Sequence, residues 1–302
     1  MENYLVSIVV SIVTGVLARA YMMKIDHRQY PSYPQGFLSH ITLGVIAASL
    51  GAVAVPALAT KEFGAVTFLA LAAQQFRDVR NMERQSLDNI EPTELVPRGT
   101  AYIEDIAKAF EARNYMVMIT SLLTSISMNI LKYFKLNSQL QITAGLIVGF
   151  TTMMILKGFL TRQLIEEIAE VRPGKIEFDG PLLKVNGVII MNIGLKASRK
   201  IYEERGIAVE IVPNDMNASA TLSNIGQRQA IQHQAATQLG IRKDIDEPDF
   251  TPLVRRNPHN GNLVMALIAM HPDQDLLIEV INKTPVLETC RRKPREANIK
   301  PS

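Results

Sequence analysis

Long apolar runs confined to one half of the chain constrain this sequence more than any other feature. Residues 1–160 hold nearly all of them, whereas 161–302 mix polar and apolar residues as a water-soluble sequence does. A hydrocarbon core of about 30 Å takes about 20 helical residues to cross, with about 17 at the low end. Residues 5–21, 37–60, 115–131 and 140–160 meet that requirement; 63–76 is short by itself. Only Lys61 and Glu62 separate 63–76 from the preceding segment, so the two are expected as a helical hairpin. The expectation is an N-terminal α-helical transmembrane bundle of about five spans, followed by a C-terminal cytoplasmic α/β or α+β domain.

Ala18-Arg19-Ala20 has the small-x-small look of a cleavage site, but the residues before it include Glu2 and no Lys or Arg. A signal peptide has a basic start, so the first segment reads as a retained helix with Arg19 just inside it. The second is rich in small residues at four-residue spacing, Gly44, Ala48 and Ala52 together with Ala47 and Gly51, and the fifth carries Gly145 and Gly149. Such spacing lets helices approach closely in lipid. The hydroxyls of the fourth span, among them Thr120, Ser121, Thr124 and Ser125, suit bonds to backbone or to a neighbouring helix. Lys and Arg concentrate in the first and third connections, which places these on the cytoplasmic side. The N-terminus is then outside and the C-terminal half in the cytoplasm. Cys290 is the single cysteine, so no intrachain disulfide forms, in keeping with a reducing compartment.

The domain reading is 1–172 for the transmembrane part, including a charged collar at 77–114, then 173–289 for the soluble domain and 290–302 as a disordered tail. Residues 165–171 are expected to finish the fifth helix, and Pro173-Gly174 to end it. Residues 182–193 read as strand with a possible hairpin turn at Asn186-Gly187. Helix is expected at 197–205, 221–239 and 276–282, and strand at 207–212, 262–270 and, briefly, 286–287. Strands alternating with helices give the α/β or α+β expectation.

The collar is the strongest concentration of chemistry. It holds Arg77, Asp78, Arg80, Glu83, Glu104, Asp105, Glu111, Arg113 and Asn114, with Arg77, Arg80 and Arg84 on one helical face. Read structurally, these residues pair between helices and fix the bundle, or face lipid phosphates. Read functionally, the collar holds a catalytic or proton-carrying carboxylate, the candidates being Glu104, Asp105 and Asp78 with His40 at the start of the second span. Arg77, Arg80, Glu83, Glu111, Arg113 and Asn114 are the corresponding binding candidates. Other chemistries lack their signatures. There is no HExxH, the five histidines show no ligand spacing, and no P-loop or GxSxG is present, so no metal and no cofactor is expected. A net charge of +3 is too small to argue for nucleic acid. In the rear half, the start of the 221–239 helix could hold an anion, and the acidic run Asp244, Asp246, Glu247 and Asp249 reads as an exposed loop.

At Tyr102-Ile103-Glu104-Asp105-Ile106-Ala107 the chain resembles the YIEGIA family, membrane proteins of endospore-forming bacteria, with Asp105 where the family's hexapeptide has Gly. Residues 73–84, 110–115, 179–185, 226–230 and 251–256 are similar to that family too. The resemblance implies an endospore former and a role in sporulation, and no particular activity. Two readings follow. One is a scaffold or regulator whose cytoplasmic domain binds a small protein partner, or a second copy, beside the membrane lipid. The other is a membrane-embedded hydrolase or protease using acids of the collar.

Overall fold

The computed structural model describes residues 4–26, 34–241 and 250–294. The chain forms two compact units, Met1–Gln85 with Ile106–Thr161, and Ser86–Asp105 with Arg162–Ser302. The chain passes into the second unit for good at Thr161/Arg162, and the 77–114 stretch is divided between units at Gln85/Ser86 and at Asp105/Ile106.

The first unit is built from α1 (Leu5–Asp26), α2 (Pro34–Ala59), α3 (Phe63–Ile90), α4 (Thr100–Tyr133) and α5 (Ser138–Leu160). Four of these, α1, α2, α4 and α5, are long and apolar enough to cross a membrane. The third expected span does not qualify, because its short apolar part is fused to a polar half that runs on to Ile90. Side-chain contacts fix the direction of every helix. Gly15 of α1 meets Ala48, and Arg19 meets Gly44, so α1 and α2 are antiparallel. Ser121 and Ser125 of α4 donate to the Ala48 and Ala52 carbonyls of α2, so those two run the same way. Phe76 of α3 stacks edge-on with Tyr115, and Arg80 pairs with Glu111, which sets α3 against α4. Thr14 of α1 lies against Gly149, and Tyr21 accepts from Lys157, so α5 is parallel to α1. The five helices alternate in direction.

This bundle is arranged inside out relative to a water-soluble one. Along α5, Ile147 and Phe150 are 66% and 60% exposed, while Gly145, Gly149 and Thr152 are buried. Along α1, Leu5, Val9, Val13 and Leu17 are exposed, and Ser7, Ser11 and Thr14 are buried. Small residues permit the approach: a Cβ on Gly51 would overlap the Met118 carbonyl oxygen of α4.

The second unit is α+β, its sheets antiparallel throughout. It contains α6 (Ile165–Ile168), β1 (Ala169–Pro173), β2 (Ile176–Asp179), β3 (Leu182–Val185), β4 (Val188–Asn192), α7 (Lys196–Arg205), β5 (Gly206–Pro213), α8 (Met216–Leu222), α9 (Ile225–Leu239), β6 (Leu253–Arg256), β7 (Leu263–Ile268) and α10 (Gln274–Asn282). One sheet has the order β1-β5-β7-β6 and the other β2-β3-β4. The central strands β5 and β7 are covered on both faces. Val209, Met265 and Leu267 face a core shared with Ile231 and Ala235 of α9 and with Leu277 and Ile281 of α10. Ala208, Val264 and Ala266 face a second core with Leu183, Ile190, Tyr202 and Phe250. Successive side chains of a strand point to opposite faces, so double coverage demands the nearly continuous apolar run of β7.

The Asn186-Gly187 hairpin forms as expected, with φ of 48° and 79°, the left-handed pair that a two-residue turn requires. Several expectations are corrected. Residues 165–171 do not continue α5: after α6 they form β1, because Ala169 and Val171 bury on the edge of β5 while Glu170 and Arg172 point outward. The 221–239 helix is two helices, broken where Asn224 turns its side chain onto the Gly226 N–H and caps α9. Residues 286–287 form no strand. The Gln227 amide bonds them as a strand neighbour would, donating to Pro285 O and accepting from Leu287 N. The linker expected from Leu87 begins only after Ile90. Cys290, placed in the tail, is buried in a 3-10 turn, Glu288–Cys290. Residues 295–302 and the acidic run from Asp244 to Asp249 lie outside the described residues.

Candidate functional site

On α1, Ser7, Ser11, Gly15 and Arg19 recur every four residues and so form one stripe. Arg19 is fully buried. Gly44 makes room for it, its missing Cβ position lying 2.8 Å from Arg19 Cγ. Arg19 Nη2 lies 2.6 Å from His40 Nδ1, and Arg19 Nε donates to the His40 carbonyl at 3.4 Å. The guanidinium sits 5.5 Å from the centroid of Phe110, which His40 meets edge-on at 5.1 Å. A guanidinium has donors only, so Nδ1 accepts and the ring is neutral with its proton on Nε2. That tautomer leaves neither ring nitrogen able to take a proton from a substrate. Sequence reading named His40 and passed over the partner that fixes it, although a lone Arg within an apolar helix is a signal in its own right.

Arg113 and Asn114 follow one turn after Phe110, both buried. Neither end of the Asn114 amide has a hydrogen-bond partner among the described residues, and the same holds for the hydroxyls of Ser11 and Thr120. Arg80 Nη1 donates to Glu111 Oε2 at 3.1 Å, which takes Arg80 out of the basic face expected with Arg77 and Arg84. Arg77 and Asp78 are exposed. Glu83 is half-buried.

The hexapeptide lies across the unit boundary, and its first four residues are anchored in the second unit. Tyr102 and Ile103 are buried. The Tyr102 hydroxyl accepts from Gln234 of α9, and the Tyr102 ring meets His233 edge-on at 6.1 Å. His233 Nδ1 donates to Val96 O at 2.7 Å, and burial holds the imidazole below its ordinary value. Close packing of this segment needs two glycines: Gly99, at φ 84° against Gln229, and Gly226, against Ala101 and Cys290. Asp105 is tied three ways. Its Oδ2 lies 3.0 Å from Arg162 Nη2, the same nitrogen donates to Asp105 O at 2.9 Å, and Oδ1 accepts from Glu288 N at 3.0 Å. Glu104 beside it is half-buried.

The ten candidate residues are therefore distributed. Glu104 and Asp105 belong to the second unit, and His40, Arg77, Asp78, Arg80, Glu83, Glu111, Arg113 and Asn114 to the first. Among the described residues no group of three His, Cys, Asp or Glu is placed to hold a metal ion. A polar cleft of about 170 Å³ in the second unit is lined by other residues, including Gln163, Asp215, Asn217, Thr221 and Arg292. Sequence reading also missed Tyr102, Gln227, Gln234 and Arg162 as ties, since none carries a motif beyond its neighbours.

A family model described as "YIEGIA protein" matches residues 7–297. A relative from Bacillus subtilis (strain 168), titled "Uncharacterized protein YphB", is 39% identical over 296 residues, covering 98% of this chain and 97% of its own. No solved structure matches the chain.

Proposed function

The chain belongs to the YIEGIA family, and from that premise we propose that it is a non-enzymatic integral membrane protein of sporulation, a scaffold or regulator whose α+β unit binds a protein partner. The inside-out bundle carries the membrane part of this reading. Large apolar side chains at its surface, with serines, threonines and Arg19 inside, are stable against lipid and costly against water. In this reading α3 is a fifth crossing beside the four helices long and apolar enough to span, which the alternating helix directions support. An odd number of crossings and the basic first and third connections favour an external N-terminus and a cytoplasmic α+β unit.

The scaffold part rests on how the chemically capable groups are engaged. Asp105 holds Arg162 and the Glu288 amide, Glu111 holds Arg80, and His40 is fixed on Arg19. Each is a tie between elements. The sporulation context comes from the family resemblance.

Complementation in a spore-forming host lacking its own copy tests this reading. Glu104→Gln and Asp78→Asn should sporulate normally, while removing residues 162–302 should abolish function without removing the bundle from the membrane. Loss of function in Glu104→Gln at normal abundance, with an uncleaved substrate accumulating, would establish the hydrolase instead. A tag fused at Ser302 that is reachable from outside intact cells would reverse the orientation.

A further inference from the structure

In two stretches that carry the family resemblance, 226–230 and 251–256, the arginines Arg228, Arg255 and Arg256 have no part in the ties described above. The fold brings them together in the second unit. Val254 of β6 packs in one core with Ile231 and Ala235 of α9, which sets the strand against the helix. Arg228 lies in the first turns of α9, its amide bonded to Asn224 O. Arg255 and Arg256 close β6 and are exposed. Burial, with both of these like charges, presses the Arg228 pKa down, and among the described residues no acid is among the influences on it. Arg228 Nε is shut off from solvent and has no hydrogen-bond partner among the described residues. Glu210 of β5, separated from β6 by β7, is held instead by the amides of Asn186 and Asn262, both at 2.7 Å.

The remaining groups are held in place. Arg255 Nε donates to Ile190 O at 3.1 Å. The turn after β6 is closed by Asn257 N to Asn262 O at 2.8 Å and Gly261 N to Asn257 O at 3.0 Å. Gly261 has φ 80°, and the place its Cβ would occupy is 2.8 Å from Ser219 Oγ and 3.5 Å from Arg256 Nη2. The glycine thus lets the turn come close against the Ser219 hydroxyl, beside the Arg256 guanidinium. Like-charged guanidinium groups gathered with no counter-charge among the described residues are held at an electrostatic cost, which an anion removes. A tetrahedral oxyanion suits them best, since each planar fork donates two parallel hydrogen bonds and phosphate has oxygens for several forks at once.

We propose that Arg228 and Arg256, with Ser219 across Gly261 and Arg255 adding charge from the other face of the edge strand, form a binding site for a phosphate group, carried by a soluble phosphomonoester or by a phospholipid headgroup.

The full-length chain in phosphatidylcholine nanodiscs is the material for the test. One arm titrates inorganic phosphate and phenyl phosphate by calorimetry. The other replaces part of the phosphatidylcholine with phosphatidic acid and reads the rise in the unfolding midpoint. Saturable binding in the first arm alone identifies a soluble ligand, and in the second alone a headgroup; either supports the site. Arg228→Gln and Arg256→Gln should each weaken binding by about 10- to 100-fold, the value of one charge-assisted hydrogen bond. The remote Arg199→Gln should leave it unchanged. Where a Gln variant lowers the ligand-free midpoint, Arg228→Lys replaces it, keeping the charge and losing the fork, and should still weaken binding. No saturable binding in either arm, or variants that bind as tightly as the parent chain, overturns the proposal.

Discussion

Asp105 is the residue whose replacement tests the second unit most directly. Its side chain is 5% exposed and its ion-pair partner Arg162 19%. Asp105→Asn keeps an oxygen for the Glu288 amide and leaves Arg162 facing a neutral group. Asp105→Gly, which restores the family's hexapeptide, removes both bonds. Removing one partner of a buried pair costs about 3–5 kcal/mol, because the other charge is left buried, whereas removing both is often close to neutral. The Gly variant should therefore lose about 3 kcal/mol or more, the Asn variant about half of that, and Arg162→Met introduced with Asp105→Gly should recover part of the loss. Cys290 supplies the assay. It is the single cysteine, it is buried two residues beyond the amide that Asp105 holds, and burial raises its thiol pKa. Alkylation of Cys290 in the native protein then requires the unit to open, and its rate follows the opening equilibrium when reclosing is fast. A loss of 3 kcal/mol corresponds to labelling about 150-fold faster. Rates for Asp105→Gly within threefold of the parent chain would refute the tie, as would a double variant that loses the sum of both single effects.

Three further predictions concern other sites. His233 is buried and neutral, its folded pKa below the unfolded value of about 6.5. The unfolded chain then binds the extra proton first, so stability is full above about pH 6.5 and declines as pH falls below it. Cys290 labelling should accelerate between pH 7 and 5.5 after correction for thiolate fraction, and His233→Gln should flatten that dependence; an unchanged slope would contradict the assignment. In the bundle, Gly51→Ala forces α2 away from the Met118 carbonyl and should cost about 1–3 kcal/mol. Gly158→Ala, with open space around its Cβ, should be neutral, so equal midpoints for the two in detergent would discredit the contact. Asn114→Leu should be neutral or stabilising by about 1 kcal/mol, because its buried amide has no partner among the described residues. A loss of function at unchanged abundance would instead give that amide a polar ligand.

Much of this architecture was legible from residue order. Apolar runs of the right length located α1, α2, α4 and α5, since lipid allows few solutions to the backbone's hydrogen bonds. The small residues at four-residue spacing marked real contacts, as Gly44, Ala48 and Gly51 demonstrate. Asn186-Gly187 announced its turn because few residues other than asparagine and glycine take up left-handed backbone without strain. Tertiary structure alone decided the rest. Residues 165–171 carry a helical pattern, yet β5 offered an unpaired edge and took part of them as β1. Residues 286–287 look like strand, but a glutamine side chain met their backbone instead. Charge clustering identified the collar, but whether a given acid is free or engaged depends on which partner the fold brings within about 3 Å, and Arg162 stands far along the chain from Asp105. Local propensity is written in neighbouring residues, while a pair's energy depends on distance and burial that only the folded chain sets.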